Sequence, residues 1–323
     1  MTFAVEFDFS EKRERTISLD EVSAGPPEKT YYWVDLENEP GAQAVELLQR
    51  MGIDQLTLDF LMDEDGPPRF NVFQSCLQFT LKEVRIVKGE FTAVPVQVIL
   101  GPNFMLTVHQ GSVEFLADMK RTYREDFHSH SQSHGFLLFE LADHLTHGYR
   151  ITLSLVSEMI EGIEHQLLGE TEDEIFRDVY DLIRWLLEFR KIIVSARETV
   201  HELATRKSPF ISQTTQPFLE KKGVLLERLS ADVTTEREVL SESLNLYMGI
   251  VSYRTNQVVT KLTMVSIIFL PLHFLVGVYG MNFGSSEATM PELRWRYGYG
   301  FFWILVVIVV SSLLYWMKRK KWL

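Results

Sequence analysis

The sequence predicts an α+β soluble domain followed by a long helical stalk and two C-terminal membrane-spanning helices. Three observations carry this reading. Residues 1–126 mix β-rich runs with short helical patterns. From Phe136 onward Pro and Gly become rare, and apolar residues recur at helical spacing. Two apolar segments, roughly 262–278 and 301–316, close the chain; with their flanks each approaches the about 20 residues that cross a bilayer.

In chain order, residues 31–36 read as a strand and 42–51 have helical periodicity. Residues 76–87 and 94–108 are strand-rich, with Gly89 and Gly101-Pro102-Asn103 as turn signals. Residues 112–123 read as a helix, and the polar, Ser-rich stretch 128–134 as a linker. Two long helices are expected at 136–168 and 171–206, joined at Gly169 and the acidic run Glu170, Glu172, Asp173 and Glu174. A third begins near Pro217, after Ser208-Pro209, and continues into the first apolar segment. Its Leu226, Leu229, Val233, Leu240, Leu244, Tyr247 and Val251 are spaced by three, four or seven, as in a coiled-coil seam. Unbroken to Gly280, it would be about 95 Å long at roughly 1.5 Å per residue.

The expected divisions are therefore 1–126, an α/β domain; 127–216, a helical hairpin; 217–280, a stalk helix whose last part, about 259–280, is the first span; 281–297, a loop; 298–317, the second span; and 318–323, a basic tail. Two spans cannot enclose a pore, so a pore would require several copies of the chain.

The 323 residues carry a formal net charge of −12, so nothing points to a nucleic-acid partner. Acidic charge concentrates cations, but it also serves simply to keep a domain soluble. Cys76 is the single cysteine, so no internal disulfide forms. Residues 1–10 have no apolar core of the kind a secretory signal needs, so the bulk of the chain is expected in the cytosol. Lys318, Arg319, Lys320 and Lys321 abut the second span and place that end in the cytoplasm of a cell (inner) membrane, with the N-terminus on the same side. Arg294 and Arg296 in the loop oppose this and are outnumbered. Trp295, Tyr297, Tyr299, Trp303 and Trp316 sit near span ends, where interfacial aromatics belong. No phosphate-binding glycine loop or nucleophile elbow is evident, so an enzyme is not expected and no cofactor is implied.

From the end of the stalk into the first span, Asn256, Thr263, Ser266, His273 and Gly277 fall at intervals of seven, three, seven and four, which places them on one helix stripe with Val259 and Leu270. A polar stripe facing lipid is costly and is expected to face protein or water, with Val259 and Leu270 as apolar constrictions. Thr263 and Ser266 have a second reading, as hydroxyls bonded back to their own helix at a helix–helix contact. His273 has two as well: an imidazole ring able to bind Zn2+, Ni2+ or Co2+ or to titrate near neutrality, or a side chain turned aside onto a neighbouring carbonyl.

Tyr279-Gly280-Met281-Asn282 ends the first span, and Met290-Pro291-Glu292-Leu293 follows in the loop. With Pro271 inside the span and the ending Lys320-Lys321-Trp322-Leu323, this arrangement resembles the CorA family of divalent-cation channels. The resemblance implies a funnel-shaped homopentamer in the lipid bilayer, carrying Mg2+ and often Co2+ or Ni2+. It implies that Gly280, Met281 and Asn282 form a selectivity ring at the pore mouth, where Asn282 meets the ion through its hydration shell. Carboxamides suit that role because Mg2+ dehydrates reluctantly. Glu292 adds negative potential or is a solvated loop carboxylate. Family members often carry a small hydroxyl residue where His273 stands, and this outer loop is longer than usual at 284–289. The acidic turn at 170–174 either draws cations toward the basic ring of Lys318 to Lys321 or is a solvated tip.

The resemblance also implies a gating site in which two carboxylates bind intracellular Mg2+. The matching positions here are Phe60 and Lys221, neither a Mg2+ ligand, with Asp59 and Asp143 nearby. The expectation is a chain whose usual sensor is missing or replaced by an apolar or charge-pair contact. His128, His130 and His134 match no standard zinc spacing and fit a linker better; His144 and His147 share a helix face without an evident carboxylate partner set. Three functions remain open: a channel for hydrated Mg2+, a Zn2+ transporter on the same scaffold, proton-linked and centred on His273, and a non-transporting membrane scaffold.

Overall fold

The computed structural model describes residues 2–22, 30–37, 42–53, 55, 58, 70–87, 89–130, 133–167, 174–281, 295–320 and 322. The chain divides into two compact units, Met1–Leu244 and Asn245–Leu323.

The first unit is built on a seven-stranded sheet: β1 (Thr2–Asp8), β2 (Arg13–Thr16), β3 (Thr30–Glu37), β4 (Phe70–Val72), β5 (Leu77–Val87), β6 (Glu90–Leu100) and β7 (Phe104–His109), in the spatial order β2-β1-β3-β7-β6-β5-β4. Every pairing is antiparallel except that of β3 with β7. The strand expected at 76–87 is β5, and the run 94–108 is two strands. They turn at Gly101, where a Cβ would fall inside the Phe104 ring. Sequence reading missed β1, although Phe3, Val5, Phe7 and Phe9 alternate with polar or small residues at the period of a strand.

Central β3 explains why 31–36 is apolar at every position but Asp35: both its faces are covered. Tyr32, Val34 and Leu36 join a core with Leu47 and Leu48 of helix α1 (Ala42–Arg50) and with Ile99 and Leu106. On the opposite face Trp33 meets Phe3 and Tyr123, and Phe7 meets Tyr123 and Phe127, in edge-on and tilted ring pairs 5.0–6.0 Å apart. Tyr123 and Phe127 belong to α2 (Glu114–His130).

A charged group lies within this aromatic layer. Asp35 is fully buried; its Oδ2 is 2.5 Å from the Lys120 ammonium and 3.3 Å from His109 Nε2, and its Oδ1 accepts from the Thr107 hydroxyl. His109 Nδ1 lies 2.7 Å from the Gly111 carbonyl, an acceptor only, so Nδ1 carries a hydrogen. Nε2 then meets the carboxylate favourably only as an N–H, which makes the ring an imidazolium.

After α2 come α3 (Gly135–Leu167), α4 (Glu174–Thr205) and the 64-residue α5 (Gln216–Tyr279). Helix α2 runs through His130, so the stretch 128–134 is not a linker throughout. His128 Nε2 lies 3.0 Å from Glu14, and His134 stacks on Tyr31. Of the seam expected on α5, Leu226, Leu229, Val233 and Leu240 are buried, and Leu244 is half-buried.

The second unit holds the remainder of α5 and α6 (Gly298–Arg319). Both helices are long and apolar enough to cross a membrane; none of the most apolar window of α5, and 6% of that of α6, is buried within the chain. Tyr279 and Phe302 pair edge-on at 5.2 Å, bringing the end of α5 to the start of α6.

Burial alone would raise the Asp35 carboxyl, but the hydrogen bond from His109 and the Lys120 charge outweigh it and hold Asp35 below its ordinary 3.8. Burial alone would lower His109, yet its bonds to Asp35 and Gly111 raise it above 6.5. The Asp35 contribution is therefore present above pH 3.8 and lost as pH falls through its lowered value. That of His109 is complete below pH 6.5 and lost as pH rises through its raised value. Thermal melts of the purified chain should show this cluster stabilising most between those limits. Asp35→Ala, which leaves buried His109 and partly buried Lys120 without their carboxylate, should cost about 3 kcal/mol and flatten the alkaline limb.

Candidate functional site

The polar stripe lies on α5 in the second unit. Asn256, Thr263, Ser266, His273 and Gly277 are all exposed within the chain, as are Val259 and Leu270 at 54% and 76%. The Thr263 hydroxyl donates to the Val259 carbonyl at 2.8 Å and that of Ser266 to Leu262 at 2.9 Å. Back-bonding is thus what these two side chains do. It leaves their lone pairs exposed and their hydrogens used, so toward the stripe they act as acceptors. His273 makes no hydrogen bond among the described residues.

Pro271 lies inside α5 and removes one backbone donor, releasing the carbonyl of Ile267 on the preceding turn. The helix closes with Gly280 N–H on the Val276 carbonyl at 2.9 Å and Met281 N–H on Val278 at 3.2 Å. A Cβ on Gly280 would come within 3.0 Å of the Val276 oxygen, which explains glycine there. The last carbonyls of a helix lack intrahelical partners and form the negative end of its dipole. Residues 280–281 therefore follow a set of oxygens suited to a cation or its water shell. Asn282 lies outside the described residues, as do Met290, Pro291, Glu292 and Leu293.

Lys318 and Arg319 occupy the last turn of α6, where cations complement the dipole, and Lys320 N–H closes it on the Lys318 and Trp316 carbonyls. Lys321 is outside the described residues, as are Glu170, Glu172 and Asp173.

At the gating positions, Phe60 and Asp59 are likewise outside the described residues. Lys221 is exposed, with its ammonium 5.7 Å over the Phe218 ring. Sequence reading missed its neighbour: Lys222 is ion-paired to Asp143 and lies 5.1 Å over Phe139. Asp143 thus already holds a cation, the chain's own. His144 does have a carboxylate partner, Glu140 one turn earlier at 3.5 Å, and Thr122 at 3.1 Å. The hydrogen bond and charge of Glu140 raise its pKa despite burial. The i, i+4 spacing on α3 could have revealed the Glu140 pair. Among the described residues, no group of three or more His, Cys, Asp or Glu side chains is arranged to hold a metal ion.

Residues 28–321 match the family model described as CorA-like Mg2+ transporter protein. The chain is 28% identical over 329 residues to the cobalt/magnesium transport protein CorA of Thermotoga maritima, spanning 98% of this chain and 91% of that one. The complete structure of the CorA magnesium transporter from Methanocaldococcus jannaschii superposes with a TM-score of 0.86 at 20% identity, covering 100% of this chain and 99% of that one. The full-length CmaX protein gives 0.79 at 16% identity, over 99% and 97%. The sheet domain, the long helix, the two exposed apolar helices and a match over nearly the whole chain agree: the chain belongs to the CorA-like Mg2+ transporter protein family.

Proposed function

We propose that this chain is one subunit of a homopentameric channel that passes hydrated Mg2+, and with it Co2+ or Ni2+, into the cytoplasm down the electrochemical gradient. The observation that carries the proposal is the exposed stripe of α5, whose helix ends in a turn where Gly280 N–H and Met281 N–H close on the Val276 and Val278 carbonyls. Two spans cannot surround a path, so the stripe needs further copies to form a lumen. Asn282 is the proposed selectivity residue at its outer mouth, with Glu292 adding negative potential. Asn256, Thr263, Ser266, His273 and Gly277 would line the path, and Val259 and Leu270 would narrow it. The proposed setting is the cell (inner) membrane, with both termini cytoplasmic and the basic residues 318–321 inside. The divisions follow the boundaries expected from sequence, with the first span at about 259–280. At Asp143, Lys222 in place of a divalent ion supports a gate whose charge pair is built into the chain.

A second reading is supported by His273, which makes no hydrogen bond among the described residues: a Zn2+ transporter on the same scaffold, in which a ring of imidazoles binds the softer ion. Uptake into proteoliposomes separates the two. Voltage-driven Mg2+ uptake is expected, falling at least about tenfold in Asn282→Ala, the equivalent of one hydrogen bond to a charged partner lost from the ring. Ser266→Ala should stay within about threefold of wild type, since membrane hydroxyl bonds average only about 0.6 kcal/mol. Zn2+ uptake that follows a pH gradient and disappears in His273→Ala, with little Mg2+ flux, would replace the first reading by the second.

A further inference from the structure

Three polar contacts tie α3 to α5, and they share one number. Lys222 pairs with Asp143, Ser157 Oγ lies 2.6 Å from Glu236 Oε1, and Ser243 Oγ lies 2.5 Å from Glu164 Oε1; each joins residues 79 apart in sequence. A constant difference means that the helices run parallel and in register. The rungs fall at intervals of fourteen and seven residues on both helices, with the missing rung occupied by Arg150 and Leu229. Straight helices drift by about 20° per heptad, so contact kept at a seven-residue spacing requires that the two wind around each other. On α5 the rungs occupy one position of a heptad whose other seam position is filled by buried Leu226, Val233 and Leu240.

Polar residues at such seam positions weaken a coiled coil and specify its alignment. The alternatives can be read directly. Sliding α5 by one heptad in one direction sets Lys222 beside Arg150 and Glu236 beside Glu164, two like-charge pairs. Sliding it the other way brings Arg150 beside Glu236 but sets Asp143 against Leu229 and Glu164 against Ile250, leaving two carboxylates without a donor. The observed alignment alone gives all three carboxylates, Asp143, Glu164 and Glu236, a partner, whereas the apolar seam by itself would accept either slip.

We infer that this ladder is a register lock: from Lys222 to Ser243, α5 does not slide along α3, and the two helices move as one body while the protein works. The inference concerns the first unit alone and goes beyond the transport reading.

Leu153 and Asp232 also differ by 79, line the same groove between the helices and are not rungs, so they report on alignment without disturbing it. Cysteines placed there in the full-length chain in liposomes would be treated with a short bis-maleimide, and intrachain products identified by peptide mass. Cys76 is buried and does not compete. Leu153→Cys with Asp232→Cys should cross-link at least about tenfold faster than Leu153→Cys with Leu225→Cys or with Val239→Cys, the two slipped alignments, with or without Mg2+. A slipped pair reacting as fast in either condition would overturn the lock. In a Lys222→Met, Glu164→Ala background the slipped pairs should gain about tenfold, and no gain would assign the register to the apolar seam instead. The cross-linked wild-type ladder should keep its ion uptake within about twofold, as expected when rungs worth about ten times more stay closed. Loss of uptake on cross-linking would show that the helices must separate. The cross-linking pattern is read independently of ion flux, so its failure is distinguishable from failure of the transport reading.

Discussion

After Leu240, α5 buries no further residue in its own chain, yet it remains helical for about eleven more turns. That constraint governs the rest of the structure. A helix satisfies its own backbone, so the cost lies in the side chains: a long apolar surface with no covering inside the protomer. Lipid suits Phe269, Phe274 and Val276, but it does not suit Asn256 or His273. One helix carrying both kinds of surface needs two kinds of neighbour, bilayer on one side and protein or water on the other.

The first unit meets the opposite problem. Its sheet is covered on both faces, so any ionised group placed there must bring its own counter-charge. Asp35 does so with two cations from different elements, Lys120 on α2 and His109 on β7. Because the carboxylate is fully buried, the three groups hold α2 to the sheet only as a set, and replacing one member strands the others. The α3–α5 contact follows the same logic at half-buried positions. There the charges add little stability and decide which of several apolar alignments is used.

The chemistry of the candidate path is modest, and that suits a strongly hydrated ion. Thr263 and Ser266 have spent their hydrogens on backbone carbonyls, and the helix end presents oxygens; both accept hydrogen bonds from water and neither offers a carboxylate. Such a surface can pass a water shell without holding the metal. His273 is the exception, a nitrogen ligand whose preference lies with softer ions.

Much of this was legible in the sequence because it is local. Helix periodicity places α3, α4 and α5 to within a few residues, and the length of the apolar runs marks both candidate spans. The stripe from Asn256 to Gly277 is a matter of spacing along one helix. Strand β1 was equally local and was missed, although its aromatics alternate with Ala4, Glu6 and Asp8. What spacing cannot contain is the meeting of distant segments. Asp35, His109 and Lys120 come together only because β3 and β7 pair in parallel and α2 crosses their face. Lys222 finds Asp143 only because α3 and α5 run side by side with an offset of 79. Periodicity determined which face of each helix would be buried; the register between helices was decided by tertiary packing, since apolar seams repeat every heptad and only the polar rungs distinguish one alignment from the next.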